Sequence, residues 1–313
     1  MVTQAKTGND SAGIWYGILS YTLWGVLPLY WKLLQAIPAL EILAHRILWS
    51  FIFLGSVLLI SRGWQTMVAV LTNRKKLMIL FLCGVLISFN WLTFIFAVNS
   101  NQVIEASMGY YINPLVTVLL AVLVLKERLT QWQWISILLA TVGVLIITLQ
   151  YGRVPWIALI LAATFAFYGL TKKLVGVDPV TGLTLETFIV MPVALIYILN
   201  IEITGLGSLG SVPFYMQLIL AGTGIATVLP LLGFAKGLER TNLSMMGFLQ
   251  YIAPTISLLL GILVFKEYFS VSHLISFCFI WVALVIFTLA NLGVLKDNKA
   301  ADIADEIETA EKI

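Results

Sequence analysis

Apolar segments long enough to cross a membrane occupy almost the whole of this chain. A helix needs about 20 apolar residues to span ~30 Å of hydrocarbon, and ten such segments follow one another with short connections. They cover residues 14–34, 39–60, 77–99, 102–125, 131–149, 154–172, 180–200, 212–235, 241–265 and 271–291. Only 11% of the residues are charged, whereas soluble domains average roughly 25%. The sequence therefore predicts an all-α membrane protein with ten transmembrane helices.

One stretch of the chain returns 140 residues later. EASMGYYINPLVTVLLAVLVLKER at 105–128 aligns with MMGFLQYIAPTISLLLGILVFKEY at 245–268, and Tyr111 falls on Tyr251. The aligned positions also include a proline and a Lys-Glu pair, which composition alone does not explain. Such a duplication is typical of repeat architectures. It predicts two five-helix repeats around a central cavity, 14–149 and 154–291, with an N-terminal segment 1–13 and an acidic tail 296–313.

The basic residues are unevenly distributed between the two ends of the spans. With the N-terminus inside the cell, fourteen of the eighteen Lys and Arg residues fall in cytoplasmic segments. Lys32, Arg153 and Lys266 fall outside, and Arg46 lies within a span. Because cytoplasmic loops carry the excess of Lys and Arg, both termini are expected in the cytoplasm. Five spans is an odd number, so the second repeat enters from the opposite side, as in alternating-access transporters.

Three ionisable side chains lie in the first two turns of the second span. Glu41 and His45 are four residues apart and share a helix face, and Arg46 follows them. An arginine within a span costs at least ~2.5 kcal/mol on insertion scales, so it needs compensation. Two interpretations are open: Arg46 extends to the outer headgroups, or it turns inward and pairs with a carboxylate. Glu105 lies at a similar depth on the same side and is the leading partner.

Glu186 is the only ionisable residue in the interior of the second half's spans. An offset of 141 aligns it with His45, so both repeats place an ionisable group at corresponding depth. A carboxylate within the membrane predicts a functional site, and a capped structural role is the alternative. Desolvation favours its neutral form, which suits a proton carrier. Lys172 and Lys173 are assigned to the cytoplasmic boundary of the sixth span.

Polar and aromatic side chains mark the middle of several spans. Trp24-Gly25 in the first span aligns with Tyr168-Gly169 in the sixth at an offset of 144. An aromatic residue beside glycine suits either close helix packing or a cavity wall, and both interpretations stay open. The candidate solute-binding residues are Tyr21, Trp24, Asn90, Trp91, Glu105, Tyr110, Asn113, Tyr168, Gln250 and Tyr251, and the candidate coupling or charge cluster is Glu41, His45, Arg46 and Glu186.

Motifs for enzymatic chemistry are missing from the sequence. It contains no HExxH, GxSxG or GxxxxGK[ST] pattern, and its two histidines are His45 and His273, which leaves little material for a histidine-based metal or triad site. We therefore expect no cofactor, metal or nucleic-acid partner. The expected partners are a small-molecule solute, protons and the lipid bilayer, in a monomer or homodimer. The alternative is a membrane-embedded enzyme or lipid-handling protein acting at Arg46 and Glu105.

Six ordered blocks carry a resemblance to a known family. They are NWLTFIFAVN from Asn90, EASMGYYINPL from Glu105, FYGL from Phe167, TGLTLET from Thr181, GFLQYIAPT from Gly247 and FIWVALVIF from Phe279. Together they resemble the RarD branch of the EamA-type transporters, in the drug/metabolite transporter superfamily. The resemblance covers about 14–291, with departures at Met191, where the branch often has Leu, and Lys172, where Arg is usual.

This resemblance implies a bacterial inner-membrane carrier of ten helices in two inverted five-helix repeats. Its cavity is expected between spans 1, 3, 4, 6, 8 and 9. We therefore expect a secondary transporter that exports small metabolites or drugs by alternating access, with Glu186 carrying the coupled proton. The Asn90/Tyr110 and Gln250/Tyr251 positions are expected to hold the solute.

Overall fold

Every regular element among the described residues is an α-helix. The computed structural model describes residues 10–61, 63–99, 102–152, 154–264 and 271–295. The helices are α1 (Ser11–Leu33), α2 (Ala39–Ile60), α3 (Trp64–Leu71), α4 (Arg74–Asn99), α5 (Val103–Leu123), α6 (Gln131–Tyr151), α7 (Trp156–Val175), α8 (Pro179–Ile203), α9 (Phe214–Arg240), α10 (Leu243–Leu249), α11 (Ile252–Leu263) and α12 (Val271–Asn291). Most of the N-terminal segment, the tail 296–313 and the second Lys-Glu pair at 266–267 lie outside the described residues.

The long helices have the length and composition of membrane spans. Within the described ranges, eight helical stretches are apolar enough over at least 18 residues to cross a bilayer, and Met108–Leu123 is a shorter apolar stretch. Large apolar side chains cover the outside of the bundle; Ile60 is 83% exposed and Ile203 is 84% exposed. An apolar exterior of this extent is unfavourable in water and matches lipid tails. The chain is an all-α, multi-pass membrane protein.

Two helical details differ from the sequence prediction. The connection after α2 contains the short helix α3, and the ninth predicted span is divided into α10 and α11 at Gln250 and Tyr251. Pro254 has no N–H to donate to the carbonyl of Gln250, which disrupts the regular pattern of hydrogen bonds. The Ala253 amide donates to that carbonyl instead, over 3.3 Å. Three residues instead of four now separate donor and acceptor, so the helix tightens and turns there.

The helices of the N-terminal half pack mainly against helices of the C-terminal half. Helix α1 lies against α9 and α11, while α7 lies against α4 and α5. Helix α2 packs on α8 and α9, α6 packs on α12, and α5 packs on α10. Gly224 allows the closest of these approaches, because a Cβ there would lie 2.4 Å from the Trp49 carbonyl carbon. The centre of the bundle is therefore an interface between the two halves.

Candidate functional site

A buried ion pair joins α7 to α8. The Lys172 Nζ atom lies 2.5 Å from Glu186 Oε1, and the two side chains are 4% and 3% exposed. The Tyr168 hydroxyl donates to the other carboxylate oxygen, Oε2, over 3.1 Å. Lys172 and Tyr168 are four residues apart on α7, so both face Glu186 from the same side. Both carboxylate oxygens of Glu186 therefore have a partner on α7.

This cluster corrects one sequence-based interpretation. Glu186 is not a lone carboxylate, because Lys172 pairs with it away from solvent. Lys172 and Lys173 both lie in the last turn of α7, and the Lys173 ammonium donates to the backbone carbonyls of Leu238 and Thr241. Gly182 lies one turn before Glu186. A Cβ at this position would lie 3.3 Å from Lys172 Nζ, so the glycine leaves room for the lysine.

The ion pair borders a small cavity between the two halves. Its lining includes Trp91, Tyr168 and Glu186 from the predicted site, together with Ile47, Ile87, Ser88, Leu183, Thr187, Val190 and Leu231. The cavity measures about 20 Å³, which is room for about one water molecule. Most of the wall is apolar, and Glu186 supplies its charge. Helices α2, α4, α7, α8 and α9 all contribute to it.

Arg46, on α2, occupies a second polar position in the bundle. Its guanidinium carbon lies 4.7 Å from the ring centre of Trp31 and 5.0 Å from that of Trp91. Its Nε atom donates to Thr227 Oγ1 over 3.0 Å, and the Tyr110 phenol interacts with it electrostatically. Aromatic faces attract a desolvated cation by about 2 kcal/mol. These contacts gather α1, α2, α4, α5 and α9 around one guanidinium.

The predicted pairing of Arg46 with Glu105 is wrong. Between these two described residues the structure contains no ion pair; Glu105 Oε1 instead accepts the Ile157 backbone N–H over 2.7 Å. Ile157 lies in the first turn of α7, where amides have no partner within the helix and a carboxylate is favourable. Their positions within the predicted spans suggested a similar depth in the membrane. The two side chains nevertheless lie on helix faces that contact different neighbours. Compensation for Arg46 comes from aromatic rings and Thr227.

Glu41 and His45, the other members of the predicted charge cluster, are both buried. The two Glu41 carboxylate oxygens accept from the Ser208 amide at 2.7 Å and the Ser208 hydroxyl at 2.9 Å. Glu41 therefore holds the loop before α9 against α2. Neither nitrogen of His45 has a hydrogen-bond partner among the described residues. Sequence spacing correctly placed Glu41 and His45 on one face, but neither joins Arg46.

Five aromatic rings connect α1, α7 and α9 beside the ion pair. Trp24 lies 5.5 Å from Tyr21, 5.8 Å from Phe165 and 5.8 Å from Phe234, measured between ring centres. The Tyr168 ring stacks on Phe234 at 6.1 Å. Tyr21 and Tyr168 are fully buried. Phe165 and Phe234 were missed, because a phenylalanine within an apolar span carries no signal that separates a cavity wall from a lipid-facing surface.

The remaining predicted solute-binding residues do not share one surface. Asn90 donates through Nδ2 to the Leu161 carbonyl and to Thr164 Oγ1, both at 2.9 Å, which ties α4 to α7. Asn113 is buried and accepts from the Thr117 hydroxyl at 3.0 Å within α5. Gln250 and Tyr251 are buried at the break between α10 and α11, whereas Tyr110 is 49% exposed. Asn90 and Asn113 are therefore bonded to neighbouring helix atoms, and a solute-binding role for these residues stays a prediction.

Glu127, in the first repeated Lys-Glu pair, holds the start of α10. Its carboxylate accepts the Leu243 amide at 2.8 Å, the Ser244 amide at 3.0 Å and the Ser244 hydroxyl at 2.6 Å. A negative charge at a helix N-terminus satisfies amides that the helix leaves without partners. The repeat therefore marked a residue that joins the two halves. Within the described ranges, no three His, Cys, Asp or Glu side chains form a group that could hold a metal ion.

Comparison with known proteins matches the sequence of this chain to a transporter family. Residues 11–149 match the EamA-like transporter family. The chain is 48% identical to the uncharacterized transporter YojE of Bacillus subtilis over 92% of its length and 97% of that protein. The chain belongs to the EamA-like transporter family. It is also 41% identical to protein RarD of Escherichia coli over 88% of its length and 94% of that protein, which places it in the RarD branch.

The fold is also shared with a solved structure. One crystal structure superposes with a TM-score of 0.66 at 18% sequence identity, covering 90% of this chain and 98% of the other. At that identity the similarity concerns the fold alone. Family membership identifies this EamA-like protein as a membrane transporter, and both the family and the relatives point to transport rather than to enzymatic activity.

Proposed function

We propose that this EamA-like protein is a secondary transporter that works by alternating access at the interface between its two halves. The observation that carries the proposal is the buried Lys172–Glu186 pair, which borders a cavity between α2, α4, α7, α8 and α9. Intramembrane charges are costly and mark solute or ion pathways. An ion pair that only stabilised the fold could be replaced by apolar packing without loss. Its place on a cavity wall supports a role in transport.

The packing of the helices supports ten spans in two inverted repeats. When the halves are aligned by the sequence repeat, α1 corresponds to α7, α4 to α9, and α5 to the α10–α11 pair. The contact of α1 with α9 then corresponds to that of α7 with α4, and the contact of α1 with α11 to that of α7 with α5. Helix α6 is equivalent to α12, so exchanging the two halves leaves the contact between these two helices unchanged. Inverted repeats place the transport site where their interface lies.

The size of the cavity requires the helices to move during transport. At about 20 Å³ it holds about one water molecule, so a metabolite enters only after the two halves separate on one side. We propose that opening alternates between the two membrane faces, with both termini cytoplasmic and net movement of small metabolites or drugs out of the cell. The charge distribution supports this orientation.

Glu186 is the proposed proton carrier. In the described conformation its two carboxylate oxygens are occupied by Lys172 and by the Tyr168 hydroxyl, and the Cys83 thiol on α4 is near enough to interact with both charges. A proton arriving on Glu186 removes the negative charge that Lys172 needs, so the ion pair breaks and α7 is released from α8. Loss of the proton restores the pair. Protonation and the packing of α7 on α8 are thereby coupled.

Transport by purified protein in liposomes tests this proposal. We expect a pH gradient to drive movement of a solute from a panel of metabolites and drugs, and we expect Glu186→Gln to lose gradient-driven movement yet keep solute exchange. A neutral side chain can no longer cycle a proton, whereas exchange needs no net proton transfer. Glu239→Gln is the matched control, because Glu239 is an exposed carboxylate at the end of α9.

Two results would contradict the proposal. Gradient-driven transport that is unchanged in Glu186→Gln would remove Glu186 from coupling while leaving transport in place. A preparation that turned over a lipid or peptide without moving any solute would favour an enzyme instead.

A further inference from the structure

We infer that Arg46 is the anion-binding group of the transport site and that the transported solute carries a carboxylate on an apolar body. This inference rests on the proposed transport function and names its solute class. It is carried by the surroundings of one guanidinium. Arg46 has compensation for its charge from two indole rings, but no carboxylate of the described part of the chain pairs with it.

One donor of Arg46 is bonded within the described part of the protein, and the others are not. Nε is taken by Thr227, whose own hydroxyl donates to the Thr223 carbonyl over 2.7 Å. Among the residues that the structure describes, the two Nη groups have no hydrogen-bond acceptor or ion-pair partner. The Nη atoms are also not among the fully buried polar atoms without a partner, so some of their surface stays uncovered. Together they form the fork that fits a carboxylate with two parallel hydrogen bonds.

The protein has fixed the position of this fork in advance. The rings of Trp31 and Trp91 and the hydroxyl of Thr227 contact the guanidinium from three helices. An arginine that merely extended to the headgroups would leave these groups without reason to converge on it. Because the side chain is already held in place, less conformational entropy is lost when a ligand binds to it. The arrangement is therefore a binding position rather than a solvated end of a side chain.

The chemistry around the fork selects a monoanion with an apolar body. One guanidinium neutralises one negative charge, and a second charge in this partly buried place would remain uncompensated. Trp91 contacts Arg46 and also lines the cavity that reaches Glu186. The wall beyond it is formed by Ile47, Leu183, Val190 and Leu231. A carboxylate held by Arg46 therefore directs the rest of the solute against apolar side chains.

The two charged positions then have separate tasks along one path. Along α4, Trp91 and Cys83 are eight residues apart, about 12 Å at the helical rise; Trp91 contacts Arg46, and Cys83 interacts with the Lys172–Glu186 pair. A solute bound at Arg46 would therefore be separated from Glu186, the proposed proton carrier, by the cavity that Trp91 and Glu186 both line. Anion recognition and proton binding therefore involve different residues on the same lining.

Direct binding to the purified full-length protein tests the inference. The probes are 3-phenylpropionate and hexanoate, each compared with its uncharged amide, and 3-phenylpropylphosphonate as a second anion. Quenching of tryptophan fluorescence is the readout, because Trp31 and Trp91 contact the site. We expect both carboxylates to bind roughly tenfold or more tightly than their amides, since a hydrogen bond to a charged group is worth about one such factor.

Variants separate the Arg46 fork from general charge. We expect Arg46→Gln to lose the roughly tenfold preference for carboxylates, and Arg46→Lys to retain only part of it because a lysine has no fork. Arg240→Gln is the control: Arg240 is 48% exposed and pairs with Asp10 at the far end of α9. If Arg46→Gln does not fold, Arg46→Lys and the amide comparison in the parent protein still decide.

The inference is overturned if the parent binds neither carboxylate, binds the amides equally well, or prefers the phosphonate. It is also overturned if Arg46→Lys binds the carboxylates as the parent does. Proteoliposomes keep the two proposals distinguishable. Arg46-dependent carboxylate binding without solute movement would support the anion site and contradict the transport function. Transport with no preference for carboxylates would support the transport function and contradict the anion site.

Discussion

The two charged positions in the bundle satisfy their charges in opposite ways. Lys172 and Glu186 neutralise each other at 2.5 Å, with both side chains almost completely buried. Arg46 contacts Trp31, Trp91 and Thr227, and it is only partly buried. Both arrangements lower the cost of a charge in a membrane, but only an ion pair removes the net charge. The difference teaches that one charge is neutralised by the protein itself, whereas the other is stabilised by aromatic rings and keeps its net charge, which is the basis of the proposed anion site.

Breaking the Lys172–Glu186 ion pair gives the largest expected loss of stability. Removing one partner of a buried pair costs about 3–5 kcal/mol, because the other charge remains without compensation. We expect Glu186→Gln and Lys172→Met to lower stability by that amount each, and the double variant to recover most of the loss. Thermal unfolding in detergent measures all three. Losses that simply add in the double variant would show that the two side chains do not stabilise each other.

The second expected effect concerns the framework that holds Arg46. Gly224→Ala places a Cβ 2.4 Å from the backbone of Trp49, so α2 must shift away from α9 and carry Arg46 from Thr227. Overpacking of this kind costs about 1–3 kcal/mol. We expect lower thermal stability together with weaker binding of 3-phenylpropionate. Gly55→Ala on α2, the helix that Gly224 packs against, is the control, since its Cβ would have nothing within 4 Å. Equal effects in both variants would contradict this explanation.

A smaller effect is expected from the aromatic walls of Arg46. Trp31→Leu and Trp91→Leu each keep an apolar side chain but remove a π face from the guanidinium, which is worth about 0.5–2 kcal/mol. We expect each variant to lose stability by that amount in the parent. In an Arg46→Gln background the same changes should cost less, because no cation is left to attract. Equal costs in both backgrounds would mean that the indoles contribute packing alone.

The smallest expected effect tests the corrected role of Glu105. Its carboxylate accepts the Ile157 amide, so Glu105→Gln should cost about 1 kcal/mol, as for the loss of a helix N-terminal contact. Combining it with Arg46→Gln should give additive losses of stability, since the two groups do not form a pair. Restoration of stability in the double variant would revive the pairing that the structure contradicts.

The spans of this protein were predictable because each one depends on local composition. A segment of about 20 apolar residues is helical in lipid whatever its neighbours are, since its backbone groups have no other partner there. The predicted bounds therefore agree with α2, α6 and α12 to within two residues. The break at Gln250 was less predictable, because Pro28, Pro114, Pro192 and Pro230 lie inside helices that continue. A proline shows where a backbone bond is missing, not how the surroundings respond.

The site was only partly predictable because partners depend on rotation about the helix axes. Glu186 and Arg46 were identified from the cost of a charge in lipid, which any sequence reveals. Their partners were not, since Lys172 is 14 residues from Glu186 and Thr227 is 181 residues from Arg46. Depth in the membrane gave the wrong partner for Arg46, because Glu105 shares its depth but faces the start of α7.

By itself, then, the sequence determined that the chain is a membrane-embedded helical bundle with a sequence repeat. It also showed which side chains carry a charge whose burial is unfavourable. These properties follow from hydrophobicity and charge, which belong to each residue. Only the tertiary structure decided which of these side chains pairs with an opposite charge and which meets aromatic rings instead. That outcome is set when α7 packs on α8 and when two indoles, rather than a carboxylate, meet the guanidinium of Arg46. Contacts between distant helices are properties of the packed bundle, and no single span contains them.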